Sequence, residues 1–232
     1  MMDGRDAGGA ETEEDPEMKT GAIFDMDGLL LDTERVYQEN WMETARRFGQ
    51  PPIPEFPTAV SGTTGEAQRR IIRRYYPDVD PLAFQQDCIA RADSILDRQC
   101  APEKPGAREI LEFFRARGVR TAVASSSSRE RILSNLRQRG LENLFDAVVS
   151  GQQVARGKPE PDIFLLAAEK IGYAPEDCYV FEDSLNGVRA GMAAGCLTVM
   201  VPDLIQPTGD LAVSRVCASL LEAKALIEKG LL

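Results

Sequence analysis

No histidine occurs anywhere in the 232 residues. That absence excludes a Ser-His-Asp triad, a phosphohistidine intermediate and a histidine-ligated zinc. Acid–base chemistry therefore falls to carboxylates, Lys, Tyr or Cys. Positive charge is short as well: 27 Lys and Arg stand against 37 Asp and Glu, a net charge of −10. Phosphate backbones are gripped by clustered cations, so no nucleic-acid partner is expected. An acidic chain that acts on an anion would have to bring a cation with it. The cysteines (Cys88, Cys100, Cys178, Cys196, Cys217) are odd in number and scattered, with no CxxC pair. Neither a disulfide framework nor a zinc site is expected, and a reducing compartment fits. Apolar runs such as Leu197–Val201 (LTVMV) fall far short of the roughly 20 residues of a membrane span. The first residues are acidic rather than basic-then-apolar, so the expected location is the cytoplasm, without a membrane partner.

Two phosphate-handling signatures are also missing. The residues six places after the cysteines are Ser94, Gly106, Ser184, Pro202 and Ala223, so no Cys-x5-Arg loop exists. The stretch from Gly151 to Lys158 is one residue too long for a P-loop, and Pro159 follows where Ser or Thr is required.

What is present is a βα rhythm. Val119–Ser125, Phe145–Ser150, Tyr179–Asp183 and Leu197–Val201 read as buried strands, and residues 20–26 add a fifth. Amphipathic stretches between them, such as REILEFFRARG and PDIFLLAAEKIG, end in glycine, a helix stop signal. This alternation predicts an α/β fold, a doubly wound parallel sheet covered by helices on both faces. Residues 34–102 break the rhythm with three helical segments and the Pro-rich PPIPEFP. A stretch of that length is too long for a loop and predicts an inserted all-helical cap. The expected division is a core of residues 19–33 and 103–232, a cap of 34–102, and a disordered tail of 1–17, which holds seven acids and one Arg.

Doubly wound sheets bind ligands beyond the carboxyl ends of their strands. The first strand, Ala22-Ile-Phe24, ends there in Asp25-Met-Asp27-Gly28. Ser125 to Ser128 follow the second, Arg156-Gly-Lys158-Pro159 the third, and Glu182-Asp183-Ser184 the fourth. Each piece alone has a bland reading. Serines cap helices, an acidic pair complements a helix dipole, and the DxDG fails as a calcium loop because Leu29 stands at the next ligand position. Their arrival at four strand ends of one sheet is what points to a site. Gly187, Gly191 and Gly195, with Ala190 and Ala194, are read as small residues that bring a helix close to the sheet.

The ordered set FDMDGLLLDTE, VASSS, GKPEPDIF and VFEDSLNGVRAGMAAG resembles the haloacid dehalogenase superfamily. The resemblance runs from residue 19 to about residue 205 and is narrower still to the sugar-phosphate branch with β-phosphoglucomutase-like phosphatases. It implies that Asp25 is a nucleophile toward phosphorus and that Asp27 is the general acid, then base. It implies Mg²⁺ as cofactor, held by Asp25, the Asp27 carbonyl and Asp183, with Glu182 as a further ligand or directly behind them. Ser125 and the backbone around Ser126 would hold phosphate oxygens, and Lys158 would neutralise the charge. A small phosphorylated metabolite is the implied partner, with a monomer as the default state. Dehalogenation is disfavoured because the dehalogenases of the superfamily lack the second aspartate.

Three activities remain open at this level. A mutase of the same branch has a histidine where this chain has Tyr37, and a phosphate-gripping arginine where it has Gly65; both departures favour hydrolysis. Arg69 and Arg70 could substitute for that arginine or lie on a solvated helix face. A non-catalytic, phosphate-sensing relative is the remaining alternative. In the cap loop, Thr63, Thr64 and Gln68, with Tyr37 and Arg91, are candidates for choosing the leaving group. Capping of a helix by Thr63 or Thr64 explains the same threonines equally well.

Overall fold

The computed structural model describes residues 18–61, 63, 65–203 and 213–232. The expectations for the acidic tail and for Thr64 fall outside these residues.

Six parallel strands form one sheet: β1 (Gly21–Phe24), β2 (Arg120–Ser125), β3 (Ala147–Ser150), β4 (Cys178–Glu182), β5 (Leu197–Met200) and β6 (Arg215–Val216). Their order is β3-β2-β1-β4-β5-β6. β1 is central, and Phe24 is in register with Val123 on one side and Phe181 on the other. All four β1 residues are buried, as expected where helices cover both faces of a parallel sheet. Alternation divides them. Ala22 and Phe24 join a cluster with Phe114, Phe181 and Leu220, and Ile23 joins the opposite cluster with Val180, Ile163 and Phe164. Phe24 and Phe181 stack with ring centroids 4.7 Å apart. The helices α5 (Ala107–Ala116), α6 (Arg129–Arg139) and α9 (Leu220–Glu228) cover the first face, and α7 (Asp162–Ile171) and α8 (Leu185–Ala194) cover the second.

Between β1 and β2 the chain builds a helical insertion of α1 (Glu34–Arg47), α2 (Phe56–Val60), α3 (Gly65–Tyr75) and α4 (Pro81–Arg98). It has an apolar centre of its own around Trp41, Phe56, Ile72, Tyr76 and Phe84. Its two ends meet: Leu31 bridges Glu103 in antiparallel fashion, Asp32 N donates to Pro102 O at 2.9 Å, and Lys104 N donates to Leu30 O at 2.9 Å. The insertion therefore stands on a short two-stranded stem.

Three elements escape the sequence reading. α2 starts at the end of the Pro-rich stretch, with Pro57 in its first turn, where a missing N–H costs nothing. β6 is two exposed residues at the sheet edge and carries no alternation. α9 follows it without a strand signal. No described helix is long and apolar enough to cross a membrane.

Candidate active site

The site begins where β1 stops. Asp25 N still donates to Phe181 O at 3.1 Å, after which the ladder ends. The chain then coils tightly: Leu30 N and Leu31 N both reach Met26 O, at 3.0 and 3.1 Å. Met26 is fully buried, whereas Asp25 and Asp27 line one cavity. That is the consequence of their i, i+2 spacing. Gly28 adopts φ +87°, and a β-carbon there would overlap Asp183 Oδ2.

Lys158 enters from the loop before α7 and is nearly buried. Its Nζ lies 2.5 Å from Asp25 Oδ1 and 2.5 Å from Glu182 Oε1, and it also donates to Ala124 O at 3.3 Å. Burial works against the ammonium charge, but Asp25 and Glu182 outweigh it and raise its pKa. Burial also lifts the Asp25 carboxyl to about 7. Lys158 opposes this rise, and the charges of Glu182 and Asp27 add to it. Asp183 is raised well above the usual carboxylate range by burial, then by Glu182, Asp25 and Glu34. Glu182 is fully buried, and its second oxygen accepts from Ser184 N and Ser184 Oγ, both at 2.9 Å. Its carboxylate lies directly against Gly187 of α8.

Asp27 is held by hydroxyls. Thr33 Oγ1 donates to one oxygen at 2.8 Å, and Ser125 Oγ and Ser127 Oγ donate to the other at 2.9 Å each. Ser127 is a site residue that the sequence reading did not single out from the serine run. Ser126 is exposed at the cavity wall. Ser127 N is turned toward Ser125 Oγ at 3.0 Å.

The cavity has a volume of about 330 Å³ and lies between the sheet edge and the insertion, within the size range of small-ligand sites. Tyr37, Thr63, Gly65 and Gln68 line it; Arg69, Arg70 and Arg91 do not. Tyr37 Oη donates to Asp93 Oδ1 at 3.2 Å, and burial with nearby acids raises its pKa. Gln68 Nε2 donates to Thr63 O at 3.1 Å, and its oxygen accepts from Gln85 Nε2 at 2.5 Å. Three charged lining residues were missed: Glu34, Asp93 and Arg131. Glu34 follows Asp32-Thr33 and reads as an ordinary first-turn helix acid. Only the tertiary fold turns it inward.

Among the described residues, no three His, Cys, Asp and Glu side chains are grouped to hold a metal by themselves. A magnesium ion does not need that, since it takes one or two carboxylates and completes its shell with water and substrate phosphate. The residues fit such an ion. Asp203 Oδ2 is buried without a hydrogen-bond donor, although Lys104 holds the other oxygen at 2.6 Å. It lies 3.5 Å from the position a Gly28 β-carbon would take, the position that Asp183 Oδ2 overlaps. Asp183 and an Asp203 oxygen that no donor reaches thus lie near one another beside Gly28, a donor set that suits a hydrated cation.

A model of the haloacid dehalogenase-like hydrolase family matches residues 19–195. The chain belongs to this family. Relatives of these hydrolases include the phosphorylated carbohydrates phosphatase of Thermotoga maritima, 33% identical over 90% of both chains. A probable pseudouridine-5'-phosphatase of Drosophila melanogaster is 38% identical over 79% of this chain and 82% of its own length. Among solved structures, a haloacid dehalogenase family hydrolase from Deinococcus radiodurans with bound phosphate and sodium superposes with a TM-score of 0.74. It is 31% identical, and the match covers 94% of this chain and 99% of that one.

Proposed function

We propose that this hydrolase is a phosphatase that cleaves small phosphomonoesters, sugar phosphates among them, through phosphoryl transfer to Asp25 and then to water. The relatives named as phosphatases of phosphorylated carbohydrates and of pseudouridine 5'-phosphate support the reaction class. The phosphate bound in the Deinococcus hydrolase supports the ligand. The observation that carries the reading is the opposite control of two aspartates in one cavity. Asp25 is gripped by a cation, whereas Asp27 is held by three hydroxyls.

In this reading an Asp25 oxygen attacks phosphorus and the ester oxygen departs with a proton from Asp27. A water then attacks the aspartyl phosphate, returning its proton to Asp27 and releasing phosphate. Lys158 favours the ionised form of Asp25 against burial and offsets the charge on the transferring group, which positioning and electrostatics chiefly stabilise. Ser125, Ser127 and Thr33 orient Asp27, and Ser126 adds a cavity-wall contact. Glu182 has both oxygens engaged, so its role is to hold Lys158. Asp25, Asp183 and the Asp27 carbonyl would hold Mg²⁺, which when bound neutralises and orients the phosphate.

The same reading makes residues 34–102 the cap over a core of 19–33 and 103–232, in a cytoplasmic monomer. Tyr37, tied to Asp93, and Gly65, without a side chain, favour release to water over return to a second sugar hydroxyl. Hydrolysis of p-nitrophenyl phosphate with and without Mg²⁺ tests the proposal. Activity should require the metal and disappear in Asp25→Asn. Equal rates for the two proteins would remove Asp25 from its role.

A further inference from the structure

Glu34 is the first residue of α1, at the boundary between core and insertion. It lines the cavity beside Asp27, and Ser61 Oγ of the insertion donates to its Oε1. Among the described residues nothing donates to its Oε2. A half-buried carboxylate with one oxygen unengaged and no cation beside it gains when a donor arrives.

The surrounding charge says which donor. Five acids line the cavity (Asp25, Asp27, Glu34, Asp93, Asp183) against two bases, Lys158 and Arg131. Lys158 is taken by Asp25 and Glu182. Arg131 Nη2 is 2.6 Å from Asp93, its Nη1 is 3.1 Å from Asp97, and its side chain is only 11% exposed. Besides these two bases the cavity wall offers carboxylates, the Gln68 and Gln85 side chains, Tyr37 and Trp41. Among the described residues it offers no uncommitted cation. A second phosphate or a carboxylate on the leaving group would meet repulsion there, whereas a hydroxyl would find acceptors.

We infer that Glu34 is a specificity-determining residue that accepts a hydroxyl of the leaving alcohol, so that the substrates are monophosphates of uncharged polyols and bisphosphates are refused. Ser61 orients the carboxylate for this contact and ties recognition to the insertion. The inference rests on the phosphatase reading and narrows its substrate class.

The test compares kcat/KM for fructose 6-phosphate, fructose 1,6-bisphosphate and p-nitrophenyl phosphate in the full chain with Mg²⁺. The wild type should favour the monophosphate over the bisphosphate by at least tenfold. Glu34→Gln should lower the ratio of fructose 6-phosphate to p-nitrophenyl phosphate by tenfold or more and should shrink the preference over the bisphosphate, because a charge has been removed. Ser61→Ala, a milder change, should move both ratios the same way by a smaller factor. Equal rates on mono- and bisphosphate in the wild type would overturn the inference without any variant. Unchanged ratios in correctly folded Glu34→Gln would do so as well. Hydrolysis of p-nitrophenyl phosphate that survives Asp25→Asn would instead overturn the phosphatase reading beneath it.

Discussion

The Glu182 carboxylate lies directly over Gly187, in space that a β-carbon on α8 would occupy. A buried anion at the end of β4 thus leans on a helix residue that can admit it, and Lys158, which also holds Asp25, leans on that anion. Ala normally gains roughly 1 kcal/mol over Gly inside a helix. Here the sign should reverse. Gly187→Ala should lose about 1–3 kcal/mol through overpacking, read from urea unfolding, and should depress kcat because Glu182 carries Lys158 with it.

Lys158 is the cation shared by two buried carboxylates, at 2.5 Å from each. Removing one partner of a buried ionic cluster leaves uncompensated charge. Lys158→Met should therefore cost about 3–5 kcal/mol and slow phosphate release roughly 100- to 1,000-fold. Adding Glu182→Gln to that variant should recover much of the stability and none of the activity, a separation that denaturation and steady-state rates would read side by side.

Arg131 on α6 of the core joins Asp93 and Asp97 on α4 of the insertion. Asp93 is partly exposed, so the pairing contributes little to global stability, below about 1 kcal/mol. Its effect should fall on the position of the insertion over the site. Arg131→Ala should leave the unfolding midpoint nearly unchanged while raising KM several-fold and hastening proteolysis at the stem around Leu31 and Glu103.

Burial, opposed by Ser61 and reinforced by Asp27 and Asp203, raises the Glu34 pKa above its ordinary value of 4.5. The native state therefore holds this proton at pH values where the unfolded chain has released it. Stability from this group is complete below about pH 4.5 and declines as pH rises through the raised native value. In metal-free buffer, Glu34→Gln should gain in Tm relative to wild type as pH increases from 4.5 toward neutrality. Parallel Tm–pH curves would show that Glu34 keeps an ordinary pKa.

The sheet, its two-sided covering and the helical insertion were legible because buried parallel strands and glycine-ended helices leave strong periodic marks. So were Asp25, Asp27, Lys158 and the acidic pair, since each sits at a strand end where ligands collect. Glu34, Asp93 and Arg131 were not. Each lies where an acid or base has an ordinary surface reading, and only the seating of the insertion on the core turns them toward one cavity. The role of Glu182 was hidden for a related reason. Sequence shows that two acids are adjacent, but not that alternation along β4 sends one to Lys158 and Gly187 and leaves the other facing the cavity.

The stem at Leu31 and Glu103 has a mechanical consequence. Both ends of the insertion pass through this one short hydrogen-bonded stem, so a movement of the insertion as a body would turn on residues 30–33 and 102–104. Asp25, Ser125 and Glu182 are fixed by the ladders of the sheet, whereas Asp27 is tied to the stem through Thr33 and Leu31. Such a turn would leave Asp25 in place and reach Asp27, so one aspartate belongs to the frame and the other to the hinge.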